Sequence, residues 1–96
     1  MKTHVVQSAI EGKGLVALER IKAKEYIGTY RGIRAKKNGR YVLWVGDEPW
    51  YIRNKYRYVN HSSTPNAVLE EFELTSLRVI KPGEEITIHY GDDWDE

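Results

Sequence analysis

The chain has no cysteine. That excludes disulfides, a thiol nucleophile, iron–sulfur clusters and any zinc site built on thiolates, and it suits a reducing compartment. Net charge is nearly missing too: 15 lysines and arginines against 14 aspartates and glutamates leave +1. Such a balance draws in neither nucleic acid nor an anionic membrane by a long-range field. No apolar run approaches the ~20 residues that span a bilayer. The opening stretch MKTHVVQSAI turns polar too early for a secretory leader. An intracellular location is therefore expected, cytoplasmic, or nuclear in a eukaryotic host. No internal repeat, low-complexity stretch or extended amphipathic helical pattern is visible. With 96 residues the chain is expected to form one domain over 1–96, with a modest core.

What is present reads as many short strands. Glycine and proline punctuate the chain at close intervals. His4 to Ile10 is rich in β-formers, and Gly12-Lys13-Gly14 reads as a turn before the apolar Leu15 to Leu18. Glu19 to Lys24 reads as a connector, and Tyr26 to Tyr30 as the next strand. Lys36-Lys37-Asn38-Gly39 predicts a hairpin turn, because Asn-Gly tolerates positive φ. Tyr41 to Val45 lacks polar alternation and is expected to be covered on both faces. Trp50 to Ile52 is a further strand, and Ala67 to Leu77 reads as two. Lys81-Pro82-Gly83-Glu84 has the composition of a type II turn. Ile86 to Tyr90 alternates, placing Ile86, Ile88 and Tyr90 on one face. The fold class is mostly β.

The segment Tyr56-Arg57-Tyr58-Val59-Asn60-His61-Ser62-Ser63-Thr64-Pro65-Asn66 concentrates polar and aromatic groups before a proline. It reads either as a well-bonded irregular loop or as a binding loop for a ligand rich in hydrogen-bonding groups. Gly12-Lys13-Gly14 is a tight turn or a place where a ligand meets bare backbone. It is neither the longer dinucleotide pattern nor a P-loop. Tyr90 is a core residue with a wet hydroxyl, or a phenol aimed into a pocket. Trp94 either folds back on the body or closes something. His4, His61 and His89 match no metal-ligand spacing, so no metal site is expected.

Three segments occur in order: Gly12-Lys13-Gly14-Leu15-Val16-Ala17; Tyr58-Val59-Asn60-His61-Ser62 with Pro65-Asn66; and Gly83-Glu84-Glu85-Ile86-Thr87-Ile88-His89-Tyr90-Gly91. With Ile27-Gly28-Thr29-Tyr30-Arg31-Gly32 between them, the chain resembles the SET-domain protein-lysine methyltransferases over nearly its whole length. Its end, Tyr90-Gly91-Asp92-Asp93-Trp94, is similar to that of the minimal SET proteins of some large DNA viruses. The resemblance implies a fold of several short antiparallel sheets, β-clip-like, with a knot-like crossing of the C-terminal segment near the Asn-His-Ser motif. It implies S-adenosylmethionine as cofactor and a protein lysine, on a histone or another protein, as substrate. Carried over by position, Lys13, Gly14, Arg57, Asn60 and His61 would bind the cofactor, His61 mainly through its backbone. Tyr90 and Tyr30 would be catalytic, and Tyr30, Tyr58, Ile88 and Trp94 would line the substrate channel.

The match has departures. Ser63 replaces the usual cysteine, and no cysteine-rich tail follows. Between Val45 and Tyr56 the chain is short where the family inserts a peptide-binding region. A homodimer that completes the groove is one arrangement this allows. A SET-like binding module that recognises a protein partner, with weak or no turnover, is the alternative to the enzyme. A nucleic-acid-binding β barrel is disfavoured by the lack of basic excess.

Overall fold

The structure, a computed structural model, describes residues 2–90. The described residues form β1 (Thr3–Gln7), β2 (Lys13–Ala17), β3 (Tyr26–Thr29), β4 (Gly32–Arg34), β5 (Val42–Val45) and β6 (Glu48–Ile52). A 3-10 turn (Lys55–Tyr58) leads to β7 (Asn60–His61), β8 (Ala67–Glu70), β9 (Glu73–Ser76) and β10 (Thr87–Ile88). The mostly-β reading holds, as small sheets: β1-β2, β3-β9-β8 and β4-β6-β5 are antiparallel, whereas β10-β7 is parallel. No helix among the described residues is long and apolar enough to cross a membrane.

Local chemistry explains the short strands. β1 ends where the Ser8 N–H meets the Gly12 carbonyl at 2.7 Å, with Gly12 at φ +50°. Ser8 Oγ accepts the N–H groups of Ile10 and Glu11, an ST-type turn that stops the strand. Ala67 to Leu77 does divide into two strands, β8 and β9, turning at Glu71, whose φ is +55°. The Lys81–Glu84 turn has Gly83 at φ +84° and a 3.0 Å bond from the Glu84 N–H to the Lys81 carbonyl, as a type II turn requires.

Three expectations need correction. β4 and β5 do not form a hairpin across Asn38-Gly39, because each pairs with β6 instead. Neither Asn38 nor Gly39 takes a positive φ. The tight turn lies further on, where the Val42 N–H meets the Gly39 carbonyl at 3.2 Å and Tyr41 sits at φ +66°. The run through Val45 is not covered on both faces: β5 is a sheet edge, and Trp44 is half-exposed with its indole N–H on Asn38 Oδ1. The alternation from Ile86 to Tyr90 also fails. Ile86, Thr87 and Ile88 are all buried while Tyr90 is exposed, because this segment has protein on both edges.

Those two edges position everything that follows. On one side, the Ile86 N–H bonds the Leu15 carbonyl at 2.7 Å and the Ala17 N–H bonds the Glu84 carbonyl at 3.1 Å. On the other, Thr87 pairs with Asn60 and Ile88 with His61, and the Ser62 N–H meets the Ile88 carbonyl at 3.0 Å. Buried Asn66 completes the join. Its Oδ1 accepts the Thr87 N–H at 2.9 Å, its Nδ2 donates to the Glu85 carbonyl at 2.8 Å, and its own N–H lies 3.3 Å from Thr87 Oγ1. Leu15, Ile21, Ile52, Leu74, Ile80 and Ile86 fill the core around this join.

Asn66→Ala leaves the Thr87 N–H and the Glu85 carbonyl without this partner inside the protein. Unfolding in urea is expected to show a loss of about 2–4 kcal/mol with little change in slope. A midpoint equal to wild type would refute the role given to Asn66.

Candidate active site

The site grows from the same join. Asn60, on β7, points its amide nitrogen into a cluster of oxygens: Glu85 Oε2 at 2.8 Å, Ser8 Oγ at 3.0 Å, and the carbonyls of Glu11 and Lys13 at 3.1 Å each. Ser8 Oγ in turn donates to the Glu85 carboxylate at 2.8 Å. This ties the turn before β2 to the crossing. Gly14 belongs here for a steric reason: a Cβ at that position would press into the Glu85 carboxylate and Ser8 Cβ. The bare backbone of Gly14 thus makes room for protein.

Tyr90 leaves the same crossing. Its hydroxyl donates to the Val59 carbonyl at 2.8 Å, and its N–H donates to His61 Nδ1 at 3.0 Å. The His61 ring packs 5.2 Å from the Tyr90 ring and 4.7 Å from that of His89. His61 was expected to act through its backbone. Its imidazole has a further role beside that: through Nδ1 it accepts the N–H of Tyr90, just beyond the last strand.

Tyr30 is buried and stacks on Tyr56, with ring centroids 5.5 Å apart. Tyr56 in turn fills the space that a side chain at Gly28 would take. The Tyr30 hydroxyl is buried without a hydrogen-bond partner. Burial, then the neighbouring phenols of Tyr90 and Tyr56, push its pKa far above the usual tyrosine range. Partial burial raises Tyr90 as well, helped by the carboxylates of Glu11 and Glu85. Both phenols therefore stay neutral at physiological pH and serve as dipoles and apolar walls, not as phenolate bases.

A cavity of about 740 Å³ opens beside them. Lys13, Tyr30, Arg57, Tyr58, Asn60, Ile88 and Tyr90 all line it. Gly14 and His61 do not, and they act one layer behind. Trp94 lies outside the described residues. The structure adds residues that sequence reasoning missed. Tyr41 lies under the Arg57 guanidinium at 3.9 Å, Tyr56 supports Tyr30, and Ser8 and Glu85 hold Asn60. Glu85 was visible within the Gly83-Glu84-Glu85 motif; nothing local marks Tyr41 or Ser8. No group of three His, Asp or Glu side chains among the described residues is placed to hold a metal.

The raised phenol of Tyr30 makes a pH prediction. Its neutral form is favoured by folding, so its contribution is intact below pH ~10 and is lost above it, by up to about 1.4 kcal/mol per pH unit. Melting temperature should fall above pH ~10, and less steeply in Tyr30→Phe. At neutral pH that variant, which sheds an unpartnered buried hydroxyl, should be at least as stable as wild type. A clear loss of stability there would show that the hydroxyl has a partner.

Comparison with known proteins now bears on this geometry. The profile of the SET domain matches residues 12–91. Comparison with curated protein sequences gives no match. A crystal structure from Plasmodium falciparum, assigned as a histone methyltransferase, superposes with a TM-score of 0.82. It is 24% identical and the match covers 97% of this chain and 96% of that one. At that identity the likeness speaks for the fold.

Proposed function

Because the chain belongs to the SET-domain family, we propose that it is an S-adenosylmethionine-dependent methyltransferase acting on the side-chain nitrogen of a protein lysine. The observation that carries the reading is the pair of neutral phenols, Tyr30 and Tyr90, on one cavity, one of them with an unpartnered buried hydroxyl. An unsatisfied buried oxygen fits a site built to meet a polar or cationic group from outside. Lys13, the backbone beside Gly14, Arg57 and Asn60 would hold the cofactor, with His61 supporting from behind. When bound, S-adenosylmethionine supplies an electrophilic methyl group on a sulfonium.

The chain's own residues do the rest. A lysine in water has a pKa near ~10.4 and arrives charged. Walls such as Ile88, Val59 and the two phenol rings disfavour the ammonium and promote loss of its proton to solvent on entry. The tyrosine faces still attract the cationic stem during approach. Tyr30 Oη accepts from or donates to the incoming nitrogen, and Tyr90, held by Val59 and His61, keeps the opposite wall fixed. In-line transfer demands such alignment, with reacting atoms roughly 3 Å apart. Tyr58 lines the channel mouth, and Trp94 is assigned to it from the resemblance. A histone tail is one substrate of suitable chemistry.

One observation favours a second reading. The amide nitrogen of Asn60 is already surrounded by protein acceptors, as in a purely structural asparagine. A SET-like module that binds a protein partner without turnover accounts for that.

Calorimetric titration with S-adenosylmethionine decides between them. Saturable binding, followed by label transfer to lysine in a protein lysate, is the expected result. Tyr90→Phe should keep cofactor affinity and lower kcat about 10- to 100-fold, the cost of small misalignment. The wild-type rate should climb with pH as lysine deprotonates, without a tyrosine inflection below pH ~10. No binding at millimolar cofactor would sink the enzyme and leave the binding module.

A further inference from the structure

The even charge of the whole chain hides a segregation along it. Residues 31–57 hold eight lysines and arginines against two acids, whereas the rest of the chain holds seven against twelve. The basic stretch contains the whole β4-β6-β5 sheet. Its register sorts the side chains. Leu43, Trp50 and buried Ile52 turn to the core. Ile33, Tyr51 and Val42 stand side by side on the opposite face, with Pro49 and Trp44 in the next row. None of these five packs on the core of the described residues, and Ile33 and Trp44 are half-exposed.

The same face carries a row of cations. Beyond Ile33 and Tyr51, the Arg53 N–H meets the Arg31 carbonyl at 2.8 Å, which continues the pairing and sets exposed Arg31 opposite exposed Arg53. Like charges opposed across strands repel. Neither arginine is relieved by an ion pair: those of the described residues use Lys2, Arg34 and Arg78. Exposed Lys36 and Lys37, past the other end of β4, are equally unpaired there. Arg31, Arg53, Ile33 and Tyr51 do not line the cavity, so this row is distinct from the residues assigned to the cofactor. Val42, Trp44 and Arg57, the last 5.6 Å from the Tyr51 ring, mark where the cavity begins.

We propose that the outer face of the β4-β6-β5 sheet binds single-stranded nucleic acid. Such a strand alternates planar bases with anionic phosphates, and this face sets aromatic and aliphatic side chains beside a row of unpaired arginines. Bases stack on Tyr51 and Trp44 and pack on Ile33, while phosphates meet Arg31 and Arg53 and relieve their repulsion. A duplex keeps its bases stacked inside and cannot use the rings in this way. An acidic protein segment would answer the charge and leave the rings without partners. The inference stands on this face alone and holds whether or not the chain transfers methyl groups.

Fluorescence anisotropy of the full chain with labelled single strands of DNA and RNA, each of roughly 12 nucleotides, and with the matching DNA duplex provides the test. The better single strand should bind about tenfold more tightly than the duplex and weaken as salt rises. Arg31→Glu combined with Arg53→Glu should cost about tenfold or more. Arg20→Glu, an exposed charge between β2 and β3, should change affinity less than about twofold. Tyr51→Ala should cost about tenfold with the salt dependence unchanged, and Tyr51→Phe should restore it. Binding of either strand in this pattern supports the proposal, and the tighter one names the partner. No saturable binding of either strand overturns it, and so does a duplex bound equally well. An Arg20→Glu loss equal to that of the paired substitution also overturns it, because the attraction would then be non-specific. Poly-glutamate that displaces the probe as well as unlabelled strand does, at equal charge, would give the face to an acidic protein instead.

Discussion

Everything in this chain depends on how a two-residue parallel ladder is kept from falling apart. β7 and β10 share only the pairs Thr87–Asn60 and Ile88–His61. A ladder that short has no stability of its own, and parallel strands need a long connection between them. The missing stability comes from side chains that behave like extra backbone. Asn66 offers an acceptor and a donor at the right reach, and both are used on the main chain of residues 85–87. Asn60 works on the other side with its donor alone, toward the carbonyls of Glu11 and Lys13 and the Glu85 carboxylate. No apolar residue could substitute for Asn66, because the Thr87 N–H and the Glu85 carbonyl that it meets must be paired. The crossing is thus a polar joint inside an aliphatic core, and it carries Val59, Ile88 and Tyr90 to one cavity.

The joint and the cavity make opposite use of burial. At the joint, the Asn66 amide is matched on its oxygen and its nitrogen and the Asn60 amide on its nitrogen. In the cavity, the Tyr30 hydroxyl and Arg57 Nε are buried and unmatched. Each such group costs on the order of 1–3 kcal/mol, a sizeable share of what a small domain has to spare. A domain with a core this modest tolerates the loss only where the rest is tightly tied, and Tyr30 is tied by the Tyr56 stack and by the 2.7 Å bond from its N–H to Phe72. Stability is given up at the cavity and kept at the joint.

This division also explains what the sequence revealed. The crossing was expected only through the family resemblance, carried by the segments around Asn60, Asn66 and Glu85; that these side chains join the strands was not legible in the letters, whereas the Pro82-Gly83 turn was. The small-sheet architecture followed from strand-length runs between turn residues. The loop from Ala35 to Tyr41 was misread because local propensity points to Asn38-Gly39 for positive φ, while the structure gives it to Tyr41. There it comes with long-range contacts, the Ile52 N–H on the Tyr41 carbonyl at 2.9 Å and the Arg57 stack at 3.9 Å, and no local rule contains them. β5 was misread for a related reason. An apolar run looks the same whether it is sandwiched in a sheet or borders a cavity, and only the pairing partners tell them apart.

The brevity of the segment from Gly46 to Lys55 has a physical consequence of its own. With so little backbone available between β5 and the 3-10 turn, this side of the cavity cannot be walled by an additional element. It is walled by stacking, with guanidinium groups laid on tyrosine rings. Stacked rings and cations pack as densely as aliphatic side chains but bring charge with them. A wall of this kind therefore sets shape and electrostatic preference together.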